Sequence, residues 1–67
     1  MSGRPDARYF VERRRPGRDW EVISEREFTG RSDDSERRMA PRSAEECARY
    51  VQRYVERGED AQRMVVA

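Results

Sequence analysis

Residues 43–58, SAEECARYVQRYVERG, constrain this chain more than any other stretch, because their start, face and stop are all written locally. Ser43 followed by Glu46 is a capping box: the hydroxyl takes an orphan N–H of the first turn and the carboxylate reaches back to the N-cap amide. Glu45 and Glu46 sit at the positive end of the helix dipole, and Arg57 at the negative end. Pro41 discourages a helix from entering upstream. Gly58 supplies the left-handed position that ends one. At about 100° per residue, Ala44, Cys47, Ala48, Val51, Tyr54 and Val55 share an apolar arc with Tyr50 at its edge. Arg49, Arg53 and Arg57 form a row on the other side, and Glu45 with Arg49 adds ~0.3 kcal/mol as an i,i+4 pair. One stripe of this width calls for a single partner layer.

That partner layer is expected upstream. Residues 7–14, ARYFVERR, read as a strand rich in Tyr9, Phe10 and Val11. Tyr9 and Val11 share one face and Arg8, Phe10 and Glu12 the other, so either face can meet the helix. Pro16-Gly17 fits a type II turn. Residues 19–25, DWEVISE, read as the returning strand, with Trp20 and Val22 alternating against Glu21 and Ile23. Residues 26–30 extend that strand or turn away, and 31–35 read as polar loop. Residues 36–40, ERRMA, fit a short helix capped by Asp33 or a third strand directing Met39 inward. The strand is favoured, because two strands cover a helix poorly. The expected fold class is α+β: an antiparallel two- or three-stranded sheet packed against one C-terminal amphipathic helix. Residues 1–7 read as a flexible tail, 8–58 as a single small domain, and 59–67 as a tail or an added edge strand.

Composition limits the core and the chemistry. With 67 residues, 34% hydrophobic and 43% charged, the domain is small and its core thin. At least two of Tyr9, Phe10 and Trp20 are therefore expected inside, and self-association is one way to enlarge the core. There is no histidine, which removes the commonest general base and metal ligand. Cys47 is the only cysteine and falls on the buried arc, which reads as core and fits a reducing cytoplasm. Asp33, Asp34 and Glu36 read as a solvated acidic loop. No apolar run approaches the ~20 residues of a membrane span. No enzyme activity, cofactor, metal or membrane contact is expected.

Charge is segregated within a net of +1. Residues 1–18 carry six arginines against Asp6 and Glu12, and residues 19–36 carry seven acids against Arg26 and Arg31. Such segments pair across a hairpin or form separate patches. Arg13, Arg14, Arg15 and Arg18, near Tyr9, Phe10 and Trp20, are the candidate nucleic-acid contacts, since arginines on a strand ribbon can grip phosphates. Arg49, Arg53, Arg57 and Tyr50 are the candidate partner contacts. Both sets also read as a solvated face.

The order of an aromatic strand, a glycine turn, Trp20-x-Val22, a polar loop, a short strand and Ser43-x-Glu45-Glu46-x-Ala48 resembles two groups over residues 8–57. One is the small, functionally uncharacterised bacterial and phage domains of strand-strand-strand-helix order. The other, more weakly, is the arm-type DNA-binding domain of tyrosine integrases. The latter resemblance implies a sheet that reads DNA, with contact roles falling on Arg13, Arg15 and Arg18. The expected function is a non-catalytic binding module, in the manner of a phage or mobile-element accessory protein contacting a protein partner. The alternative is a sheet-type DNA-binding domain using the arginine-rich hairpin.

Overall fold

A computed structural model of the chain describes residues 7–30 and 37–66. Its elements run β1 (Arg8–Arg14), β2 (Glu21–Val22), α1 (Glu25–Thr29), α2 (Ala44–Glu56) and β3 (Asp60–Val66). The three strands form one antiparallel sheet in the order β2-β1-β3, with α2 lying over β1 and β3. The fold is α+β. No helix among the described residues is long and apolar enough to cross a membrane.

The helix is assembled by the residues that announce it. The Ser43 hydroxyl accepts from the Glu46 amide at 3.2 Å, and the Glu46 carboxylate accepts from the Ser43 amide at 3.4 Å. At the other end Gly58 takes a φ of +90°, which L side chains rarely adopt, and sends the chain back as β3. Cys47 and Tyr54 are buried on the predicted arc. Val55, on the same arc, remains 52% exposed.

The hairpin closes through a turn in which the Arg18 N–H donates to the Arg15 carbonyl at 3.0 Å, with Gly17 at φ +76°. The returning strand is much shorter than residues 19–25: only Glu21 and Val22 pair with β1. Ser24 then caps α1 by accepting from the Glu27 amide at 3.2 Å, and Gly30 ends that helix at φ +76°. The spacing of Ser24 and Glu27 repeats that of Ser43 and Glu46. It is the local signal that marks a helix where strand extension was one expectation.

The third strand is not residues 36–40. It is β3, which pairs with the whole of β1 from Arg8 opposite Val66 to Arg14 opposite Asp60. Of 36–40, Glu36 lies outside the described residues. The remainder makes one isolated bridge, Arg38 to Ser24, and Arg42 makes another, to Tyr9. The segment around Pro41 runs along the edge of β1 opposite β3 but pairs with it only at the Arg42 bridge, whereas β3 pairs along the full seven residues and brings Met64, Val65 and Val66. Met39 nonetheless points inward and is 1% exposed. The tail 1–6, the acidic loop 31–35 and Ala67 lie outside the described residues.

The core consists of Val11, Ile23, Phe28, Met39, Cys47 and Tyr54. Ladder partners share a face, so Tyr9, Val11 and Arg13 face α2 together with Ala61, Arg63 and Val65. Phe10, Met64, Val66 and Val22 share the opposite face. The expected burial of two of the three strand aromatics is not met: Tyr9 and Phe10 are half-buried and Trp20 is 38% exposed. Ile23, Phe28 and Met39, brought in by α1 and its flanking segments, fill the space instead.

Candidate functional site

The hairpin arginines have divergent environments. Arg13 is 8% exposed and sits at the centre of the domain's ionic network. Its guanidinium lies 3.2 Å from Glu21, 3.0 Å from Glu27 and 3.4 Å from Glu59, and 5.0 Å from the centroid of the Tyr54 ring. Burial opposes the Arg13 charge, but Glu27, Glu21, Tyr54 and Glu59 outweigh it and hold its pKa above the ordinary value. Arg14 donates twice to Asp60, at 2.7 and 3.2 Å, and lies over the Trp20 ring. Arg15 donates to Glu21 at 3.0 Å. Hydrogen bonds from Arg15 and then Arg13 hold the Glu21 carboxyl below its usual range. Arg18 is exposed and has no carboxylate partner among the described residues. The acidic segment thus folds onto the basic one, as segregated charge allows.

On α2, Tyr50 stacks on Phe28 with centroids 4.1 Å apart, and its hydroxyl donates to the Phe28 carbonyl at 2.6 Å. Arg53 lies over Tyr50 and Arg57 over Tyr54. Arg49 is exposed. Tyr50 therefore joins α1 to α2, with Arg53 lying over its ring and Arg42 over that of Phe28.

Two groups are tuned by burial. The Cys47 thiol donates to the Tyr9 carbonyl at 3.5 Å, and burial, reinforced by Glu46, pushes its pKa up, the opposite of what a nucleophile needs. The Tyr54 hydroxyl donates to Glu27 at 2.9 Å, and burial followed by that carboxylate pushes its pKa from 10.0 to about 12. A raised folded-state pKa gives stability that is full below the unfolded value and lost as the pH climbs through the folded one. Wild-type protein is therefore expected to lose about 2 kcal/mol between pH 10 and 12 that Tyr54→Phe does not lose. Urea midpoints measured across that window check this; parallel curves for the two proteins would contradict it.

Among the described residues no three Cys, Asp or Glu side chains converge as a metal would require. What the fold presents outward is surface of two kinds. The first is the sheet face opposite α2. Phe10, Val22, Met64 and Val66 are only half-buried there, and Trp20 lies under Arg14 at its hairpin end. Arg38 lies over the Phe10 ring at 5.4 Å, and Arg8 sits in the next row. Arg8 lies within electrostatic reach of Glu46, and Arg38 forms no ion pair with a carboxylate among the described residues. Glu12 and Asp60, the acids on this face, are engaged by Gln62 and Arg14. The second is the outer side of α2 and β3, where Ala48, Val51, Gln52, Val55 and Arg63 line an open groove of about 400 Å³.

The sheet-face residues were hard to find from sequence. Phe10 reads equally as core or interface, and Met64 and Val66 belong to a strand that pairs with Phe10 and Arg8 at the far end of the chain. No family model, curated protein or solved structure matches the chain.

Proposed function

We propose that this chain is a non-catalytic protein-binding module that presents the uncovered face of its sheet. The observation that carries this is the placement of Phe10, Val22, Met64 and Val66, with Trp20 at the hairpin end, on the face that no helix among the described residues covers. In a domain with so few apolar residues, leaving five of them part-exposed together forgoes burial at roughly 25 cal/mol per Å². A part-exposed apolar surface of this kind, crossed by Glu12 and Gln62 and rimmed by charge, is what a partner surface uses. Aromatic residues and arginine are also the types that dominate such contacts. Arg38 adds positive charge at the rim with no ion-paired carboxylate among the described residues, so the complementary surface brings apolar side chains flanked by carboxylates.

The hairpin favours this reading over duplex DNA. Arg13, Arg14 and Arg15 direct their guanidinium donors to carboxylates within the domain, so of the four candidate phosphate contacts Arg18 alone has no carboxylate partner among the described residues. A phosphate-gripping surface needs several such cations acting together, with an affinity that falls steeply with salt.

The test compares wild type with Met64→Glu. A partner captured by wild type, purified and titrated back, is expected to bind Met64→Glu about tenfold or more weakly. An Arg26→Ala variant, away from that face, should bind unchanged. Equal partner affinity for wild type and Met64→Glu, or salt-sensitive binding to duplex DNA in place of a protein, would overturn the proposal.

A further inference from the structure

Edge geometry, not the open face, carries this inference. The backbone groups of Tyr9 and Val11 turn away from β3: Tyr9 exchanges hydrogen bonds with Arg42 at 2.7 and 2.9 Å, and Val11 accepts from Ile23 at 3.0 Å. Strand residues alternate the side to which they direct these groups, so Phe10 and Glu12 bond to β3. In β3 the residues opposite Tyr9, Val11 and Arg13 are Val65, Arg63 and Ala61. Their N–H and C=O groups therefore line its outer edge. That edge is seven residues long, contains no proline and ends in Met64-Val65-Val66. Natural sheets usually shorten, charge or cover such an edge.

Beside it the apolar arc of α2 overruns its cover. Cys47 and Tyr54 are buried, whereas Val55 is 52% exposed and Ala48 is exposed, both on the flank toward β3. Val65, on the helix-facing side of β3, is 63% exposed. Backbone that no described residue pairs and unburied side chains thus lie along one side of the described domain.

We propose that this side is the interface of a two-fold dimer, in which β3 pairs antiparallel with β3 of a second copy. The result is a continuous six-stranded sheet with the two α2 helices side by side. The spacings fit. Strands lie about 4.8 Å apart, so a two-fold between two β3 strands runs half a spacing outside each. A helix above the β1–β3 junction then stands one spacing from the axis, and its symmetry mate is about 9.6 Å away. Helices in contact pack 8–10 Å apart, and small residues such as Ala48 permit that approach. An antiparallel pair of helices whose two-fold passes between Val51 and Gln52 brings Ala48 level with Val55 of the second copy. A foreign strand would satisfy the edge alone. A second copy satisfies edge and helix flank together, as a self-complementary two-fold interface does.

This interface is separate from the open sheet face and is tested independently of it. Sedimentation of the full chain across micromolar to millimolar concentration is expected to show a species of twice the 8.0 kDa chain mass. Val55→Glu places a carboxylate between the helices. Val65→Pro removes an outward N–H that the monomer's own sheet does not use. Each is expected to give monomer with an unchanged far-UV spectrum, while Met64→Glu stays dimeric. Should Val65→Pro fold poorly, Val55→Glu decides together with hydrogen exchange, where the Ala61, Arg63 and Val65 amides should be protected in wild type and exposed in the variant. A wild type that stays monomeric throughout, or a dimer undiminished by Val55→Glu, would overturn the proposal.

Discussion

Replacing Arg13 by alanine is expected to lower stability by about 2–4 kcal/mol, a large share of what a domain this size possesses. The guanidinium is the common partner of Glu21 on β2, Glu27 on α1 and Glu59 at the start of the return to β3. It also packs on the Tyr54 ring of α2. Its removal strands several carboxylates around a cavity at the meeting point of four elements. Glu21 and Glu27 keep partial access to water, which places the effect below that of a fully buried pair. Lysine should recover only part of the loss, since an ammonium cannot offer a planar fork to several acceptors. Arg14→Ala is the control: its pair with Asp60 is exposed on both sides, and about 1 kcal/mol or less is expected. Urea denaturation at neutral pH measures all three, and equal midpoints for Arg13→Ala and Arg14→Ala would refute the central role. Acid gives a second check. Glu21 has a lowered folded-state pKa, so its share of stability is full above the ordinary carboxylate range and lost as the pH falls through the lowered value. The gap between wild type and Arg13→Ala should narrow accordingly below about pH 4.

Met39→Ala is expected to cost about 3–5 kcal/mol, the upper part of the range for emptying a buried aliphatic site. Met39 is 1% exposed, and its own N–H donates to the Ile23 carbonyl at 3.0 Å. Its sulfur accepts from the Val11 N–H at 3.3 Å. That amide falls between the end of β2 and the Arg42 bridge, where β1 has no backbone partner of its own. The side chain therefore fills core volume and also closes a gap in the sheet. Met39→Leu separates the two roles. An isosteric exchange of this kind ordinarily costs under about 1.5 kcal/mol. Here the Val11 amide loses its acceptor while remaining buried, which adds about 1–3 kcal/mol. Thermal denaturation of the two variants, with hydrogen exchange at Val11, distinguishes them. A Leu variant as stable as wild type, with the Val11 amide equally protected, would show that the thioether matters only as volume.

The candidate surfaces were less legible than the fold. The sequence places Val55 on the helix's apolar arc, which is correct, but the arc is wider than the layer beneath it. Arg13, Arg14 and Arg15 read as one cluster in the chain, yet alternation sends Arg13 inward and Arg14 outward, so the cluster does not act as a unit. Trp20, which reads no differently from Tyr9 and Phe10 as core or interface anchor, ends at the rim under Arg14 because β2 begins only at Glu21.

What the chain's own order determined is everything carried by interactions of three or four residues: the capping box at Ser43, the stop at Gly58, the Pro16-Gly17 turn and the inward side of α2 that holds Cys47. These need no distant partner, so spacing alone specifies them. Tertiary structure decided which segment became the third strand, which face of β1 met the helix and which apolar residues stayed outside. Tyr9 and Phe10 make the two faces of β1 nearly equal in hydrophobicity, and 36–40 and 60–66 both offered a strand. Pairing between segments remote in sequence settled those choices, through ladder length and total burial that no local window contains.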